Sequence, residues 1–316
     1  MVQKLTDDQA KFFQIFHGYA LGKQLEIDLK KGRFVHYTSA EAASRMFQNK
    51  RLWMRNSQTM NDFSEIHHGL DCLFKTYAGP TGQRFKAAIS AIFPDILPEL
   101  EKRFDSWIPE FKHNTYLASL SEHDDTEDYY GRLSMWRAYG NVAVVLNRHV
   151  FLTPSDAINA YTSPVAYMDQ PEFEVEFLKV AQKIEQEAAF LATHEREMII
   201  GVIFQMFRYS VLCTKHPAFK EEREWRIIYS PAYPSEVIEK EVEVIRGVPQ
   251  LVYKIPLADI PDRLVGASPP GLVNRVIIGP TQYPWAIRDA LLQQMIDAEI
   301  PDALSKIWFS GVPLRQ

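Results

Sequence analysis

The stretch FVHYTSAEAASRMFQNKRLWMRNSQTMNDFSE, Phe34 to Glu65, decides how the rest of the chain is read. Arg33 to Tyr37 reads as a strand, in which successive side chains face opposite ways. Thr38, Ser39, Ala40 and Glu41 fit a capping box, with the Thr38 hydroxyl and the Glu41 carboxylate each satisfying a free backbone donor. The spacing predicts a helix from there to about Asn49. Arg51 to Arg55 reads as a second strand and Asn56 to Asn61 as a polar turn. Asp62 to Glu65 is a second capping box, opening a helix to about Tyr77. Directional polar groups stand beside apolar ones throughout: His36, Tyr37, Thr38, Arg55, Asn61, Asp62 and Glu65. That mixture is what the wall of a ligand site needs.

Outward from this stretch, Thr6 to Lys23 is helical in pattern, with Phe12, Phe13, Phe16 and Tyr19 at helical spacing. Residues 66–112 read as a helical insertion or lid, with a break at Gly79 to Gly82 and interruptions at Pro94 and Pro98. Thr115 to Leu120 is a strand, Ser121 to Tyr130 an acidic loop, and Leu133 to Tyr139 a short helix ended by Gly140. Asn141 to Leu146 and Trp225 to Tyr229 read as strands, with one or two more between Ala157 and Tyr167. Glu172 to Phe207 is a long helical run split near Thr193 to Glu197. Glu241 to Arg246 and Leu251 to Ile255 form a hairpin around Gly247, Val248 and Pro249. Asn274 to Ile278, Tyr283 to Ala298 and Lys306 to Phe309 supply a strand, a helix and a last strand. Strands come in pairs rather than alternating with helices, so the fold class is α+β, mixed and mostly antiparallel, in one domain spanning 1–316.

Hydrophobic residues make up 46% of the 316 positions, enough for a sizeable core without disulfides. A net charge of -5 argues against wholesale nucleic-acid binding, though not against a local basic groove. Cys72 and Cys213 have no metal-ligand spacing and read as buried thiols. The N-terminus lacks a basic start followed by an apolar core, and the longest apolar run, Met198 to Phe207, is too short for a bilayer. A cytoplasmic setting without membrane contact is the expectation.

Four constellations can carry chemistry. His36-Tyr37-Thr38-Ser39 offers an imidazole and an aromatic face, and equally suits a satisfied core histidine. Arg55 near Asn61, Asp62 and Glu65 can clamp a phosphate or make an internal salt bridge. Ser119, Ser121, Trp136 and Tyr139 can line a pocket for a planar ring, with Trp136 as a core residue the alternative. Lys215, Glu221, Glu222, Glu224 and Arg226 form a charged run leading into the apolar Ile227-Ile228-Tyr229. On an extended backbone Glu222, Glu224 and Arg226 share a face, where a carboxylate can stabilise a developing sugar cation. The alternative is a solvated charge run. The acidic loop Glu122 to Asp125 can hold a cation only if its geometry converges. Phosphate-binding Gly-rich loops, nucleophile elbows and paired metal histidines are absent from the sequence.

Taken together, HYTS, the LW and NDxxE pieces, SLS, MWRAYG, ExEWR, IIGP and SGVPLR resemble a widespread bacterial and phage family of domains of unknown function over residues 33–315. More distantly the chain is similar to the ADP-ribosyltransferase superfamily, including toxins that modify DNA. That resemblance implies a split antiparallel sheet and NAD as the consumed substrate. It implies His36 on the adenosine side; in an enzyme of that kind Arg55 would hold the pyrophosphate, and Tyr37, Thr38 and Asn61 count with them as NAD-binding residues. Ser119 or Tyr139 would support the nicotinamide ribose, Trp136 or Tyr139 would stack on nicotinamide, and Glu224 or Glu222 would act as the catalytic acid side chain. The function implied is transfer of ADP-ribose to a protein, a nucleic acid or water in a toxin or phage-defence setting, with an antitoxin or defence partner. A non-catalytic nucleotide sensor and a metal-dependent hydrolase or nuclease are the alternatives.

Overall fold

A computed structural model describes residues 6–60, 65–153 and 155–313. Asn61, Asp62, the Glu65 side chain and the second capping box lie outside the described residues.

The described chain opens with α1 (Asp7–Phe16) and α2 (Gly18–Leu29), followed by β1 (Arg33–Thr38), α3 (Ala40–Asn49) and β2 (Arg51–Asn56). Three helices come next, α4 (Glu65–Ala78), α5 (Pro80–Ile92) and α6 (Ile96–His113). Then follow β3 (Tyr116–His123), α7 (Leu133–Tyr139), β4 (Val142–Leu146), α8 (His149–Leu152), β5 (Tyr161–Pro164) and β6 (Ala166–Tyr167). A second helical run holds α9 (Gln170–Gln186), α10 (Ala188–Leu191) and α11 (Arg196–Leu212). The chain continues through β7 (Thr214–Lys215), β8 (Glu224–Tyr229), β9 (Glu239–Ile245), β10 (Val248–Pro256) and α12 (Pro269–Leu272). It finishes with β11 (Val273–Ile278), α13 (Pro284–Asp297) and β12 (Ile307–Phe309). No described helix is long and apolar enough to cross a membrane.

The local physics follows the sequence with shifts of a residue or two. The N-terminal helix breaks at His17, and Gly18 restarts it as α2. Thr38 stays in β1, and Ser39 caps α3 by accepting from the Ala42 N–H. Ala43, Met46 and Phe47 form the buried stripe of α3, and Lys50 ends it in the left-handed region. Gly79 and Pro80 do not merely break the chain: they start α5, with proline in the first turn where its missing N–H costs nothing. Pro98 likewise falls in the first turn of α6. The acidic loop is shorter than its composition suggests, because β3 runs on to His123.

The main sheet is mixed and mostly antiparallel, in the order β12-β11-β4-β1-β3-β2-β10-β9, with β8 and β5 off that path. Its β11–β12 pair is parallel. Strand β3 organises it. Tyr116 and Leu117 pair with both β2 and β8, and Ser121 pairs with both β1 and β8. A strand has only two hydrogen-bonding edges, so β1 and β2 share the edge opposite β8, at its two ends. Between them, Ala118 to Leu120 have no ladder partner on that edge, and the sheet splits there.

One face carries a core of Phe34, Met54, Leu120, Val144, Trp225 and Ile227 with Met46 and Phe47 of α3 and Leu291 and Met295 of α13. On the other, Leu117 and Ile228 join the core built by α4, α5, α6, α9 and α11. Residues 66–112 thus pack into the main apolar interior. A smaller cluster joins Val35, Tyr37, Ala143, Val145 and Ile277 to Met135 and Trp136 of α7.

Gly140 ties α7 to the end of β1. Its φ is 138°, and a Cβ there would lie 2.4 Å from the Thr38 carbonyl oxygen. Gly140→Ala is expected to destabilise the protein by about 1–3 kcal/mol from the backbone alone, more with the clash. Urea unfolding monitored by circular dichroism measures it; an unchanged midpoint would refute this reading.

Candidate functional site

The split opens into a cleft of about 500 Å³. Its walls include α3 on one side and α7 on the other, with β1, β2, β3 and the β9–β10 hairpin between. A second hollow of about 370 Å³ has mainly apolar walls, among them Leu21, Phe151, Ile158 and Leu264, and contains none of the candidate residues.

His36 and Glu224 both line the cleft. Alternation alone sets them on opposite faces: Val35, Ser121 and Glu224 are in register, and His36 follows Val35. The split joins the two faces, and Ser119 is the link. Its carbonyl, freed from the ladder, is 2.9 Å from His36 Nδ1. Its hydroxyl donates to Glu224 Oε1 at 2.6 Å. A carbonyl only accepts, so Nδ1 carries the proton. Burial lowers the His36 pKa, outweighing the Ser119 bond, so the ring is neutral near pH 7 and its Nε2 is an acceptor.

Glu224 begins β8 and is 6% exposed. Arg226 grips it with Nε to Oε1 and Nη2 to Oε2, both at 3.0 Å. Alternation puts these two side chains on one face, as the sequence implies. Lys215 Nζ lies 3.4 Å from Glu224 Oε2 and 2.7 Å from Glu222 Oε2. Burial opposes ionisation of Glu224, but the charges of Arg226 and Lys215 outweigh it and hold the carboxyl down at about 2. The backbone is fixed as well, with the Glu224 N–H donating to the Tyr167 hydroxyl at 2.7 Å.

Glu222 reaches the cluster differently from the extended run the sequence suggests. It ends a 3-10 turn, Pro217–Glu222, and Arg223 in the left-handed region brings the chain into β8. Its Oε1 accepts from the Tyr139 hydroxyl at 2.7 Å. Arg132 pins this turn, donating to the carbonyls of Glu221 at 2.9 Å and Glu222 at 3.0 Å, and to that of Glu122 in β3 at 2.9 Å.

Trp136 does not line the cleft. It is fully buried, its indole N–H donates to the Tyr130 carbonyl, and its ring meets Tyr37 edge-on at 4.9 Å. A ring packed from both sides has no face for nicotinamide. The Tyr37 hydroxyl accepts from the Arg132 N–H at 2.8 Å, and burial pushes that phenol up to about 12. Thr38 lies on the cleft wall; Asn61 lies outside the described residues.

The far end of the cleft is basic. Arg45 pairs with Glu41 and Glu243, and Arg51 with Glu239. Arg55 donates to Gln250 Oε1 and, at 2.6 Å, to the Thr59 carbonyl. Burial lowers its pKa, and the neighbouring Arg246 charge lowers it further. The acidic loop is consumed by arginines: Asp124 by Arg223, Asp125 and Asp128 by Arg33, Glu127 by Arg132 and Arg223. Among the described residues no group of three or more His, Cys, Asp or Glu is placed to hold a metal ion.

Lys215, named in the sequence only as the start of a charged run, is the buried bridge between two carboxylates. Tyr167, Arg132 and Arg246 carried no signal of their own, since each acts through a contact distant in sequence.

No curated protein and no solved structure matches the chain. A family model described as "Protein of unknown function (DUF2971)" matches residues 135–227, the stretch that carries Tyr139, Lys215, Glu222, Glu224 and Arg226.

Proposed function

We propose that the chain is an NAD-consuming enzyme of the ADP-ribosyltransferase kind, transferring ADP-ribose to a macromolecule or to water. The observation that carries this reading is the convergence of His36, Ser119 and Glu224 on one cleft at the split of an antiparallel sheet. In the reaction the bond between ribose C1′ and the nicotinamide nitrogen breaks, and its electron pair leaves with nicotinamide. The acceptor oxygen or nitrogen bonds C1′ and gives up its proton. Between these events the ribose carries positive charge. An ionised, buried Glu224 is suited to stabilise that charge. Neutral His36 is suited to accept from a ribose hydroxyl through Nε2. Tyr139 and Glu222, hydrogen-bonded to each other, lie beside this end of the cleft.

Labelled NAD incubated with the protein and a cell lysate tests the reading. Free nicotinamide should accumulate, with the ADP-ribose label on macromolecules or free in solution. His36→Ala should raise KM for NAD about tenfold while lowering kcat less. Absence of nicotinamide release in the presence of lysate would overturn the proposal.

One feature favours a second reading, a nucleotide-binding module without turnover. Both Glu224 oxygens are already engaged by Ser119, Arg226 and Lys215, as in a buried structural ion cluster. A stable NAD complex that never releases nicotinamide would select that reading.

A further inference from the structure

We propose that Arg55 and Arg246 form a diphosphate subsite at the basic end of the cleft, with Arg246 presented from the tip of the β9–β10 hairpin. Both residues line the cleft. The other two arginines there are neutralised by carboxylates, Arg45 by Glu41 and Glu243 and Arg51 by Glu239. Among the described residues Arg55 has neutral partners alone, Gln250 and the Thr59 carbonyl, and Arg246 makes no ion pair. The Arg246 charge acts unfavourably on the Arg55 guanidinium, and a ligand with two adjacent negative groups removes that repulsion.

The hairpin adds an independent reason. Ile245 pairs with Val248, so the turn has two residues, Arg246 and Gly247, rather than the looser Gly247-Val248-Pro249 turn the sequence suggests. Both turn residues have positive φ, 52° at Arg246 and 78° at Gly247. That backbone favours Asn-Gly or Gly-Gly, and arginine is a poor fit at its first position. A residue that opposes its own turn while its side chain faces a cleft is placed there for that side chain.

The ligand class is a diphosphate ester, either a free nucleoside diphosphate or the diphosphate of a dinucleotide. As an account of NAD binding the subsite rests on the transferase reading; as a diphosphate site it is tested separately.

The test is calorimetric titration with ADP and with adenosine at fixed ionic strength, on the wild type and on Arg246→Gly. The wild type should bind ADP more tightly than adenosine. Arg246→Gly should weaken ADP about tenfold or more and leave adenosine binding unchanged. The same variant should melt at or above the wild-type temperature, because glycine suits the turn. A purely structural arginine cannot give weaker binding together with a firmer fold. Equal ADP affinity in the two proteins, or ADP bound no better than adenosine, would overturn the subsite. NAD competing with bound ADP would assign the site to a dinucleotide, and failure to compete would assign it to a free nucleoside diphosphate. Nicotinamide release separates the two proposals. Its absence with Arg246-dependent ADP binding removes the transferase and keeps the subsite; its presence with unaltered ADP binding does the reverse.

Discussion

Glu224→Gln is expected to lower nicotinamide release by about 100-fold or more and to weaken the fold by about 3 kcal/mol. The amide keeps the size and two of the hydrogen bonds of the carboxylate, but not its charge. Arg226 then loses the carboxylate it grips, and Lys215 keeps its ion pair with Glu222. Ribosyl cation formation loses its buried counter-charge at the same time. Activity has to be read well below the unfolding transition, with circular dichroism confirming the native state. Ser119→Ala serves as the companion: it removes the hydroxyl that orients Oε1 and leaves the charges balanced, so it should reduce activity less. Wild-type nicotinamide release from a folded Glu224→Gln protein would sink the catalytic role.

The same carboxylate gives a pH signature. Its folded pKa, about 2, lies below the ordinary 4.5, so the folded state binds its proton less readily than the unfolded state. Glu224 therefore contributes stability that is fully present above about pH 4.5 and lost as pH falls toward 2. In that window the Glu224→Gln protein should show a flatter fall of urea midpoint with acid than the wild type.

Arg226→Met is expected to carry the largest stability loss, about 3–5 kcal/mol. Arg226 is 1% exposed, grips Glu224 with two bonds, and donates from Nη1 to the Leu212 carbonyl at 2.5 Å. Methionine removes the donor from that carbonyl and, among the described residues, leaves Glu224 paired with Lys215. Combining the substitution with Glu224→Gln should cost less than the two single effects added, because the uncompensated charge is then gone from both sides. Equilibrium urea denaturation of the four proteins gives the coupling. Strict additivity would mean the pair is not a unit and would remove the electrostatic account of the low Glu224 pKa.

Much of the fold was legible because it is written in short-range patterns. Strand alternation and helical periodicity located β1, α3, β2, α7 and β8 to within a residue or two. Gly140 marked the end of α7 because few other residues adopt its φ. Alternation in β8 set Glu224 and Arg226 on one face, and their ion pair followed. Trp136 failed as a stacking platform for a reason no short pattern contains. Its neighbours Tyr37, Gly131 and Gly279 come from three separate segments and close around the ring.

By itself the sequence determined which residue types stand at strand starts and helix caps, and hence the β1-to-β8 candidates His36, Ser119 and Glu224. Only the tertiary structure decided that these three meet. Local alternation places His36 and Glu224 on opposite faces, and they share a cleft because β1 and β2 part on one edge of β3. Strand parting is a property of how three distant segments pair, and backbone pairing leaves little trace in side-chain order. The same holds for Lys215 between two carboxylates and for Arg246 beside Arg55. Coulomb energies act over a few ångströms in space, whatever the separation along the chain.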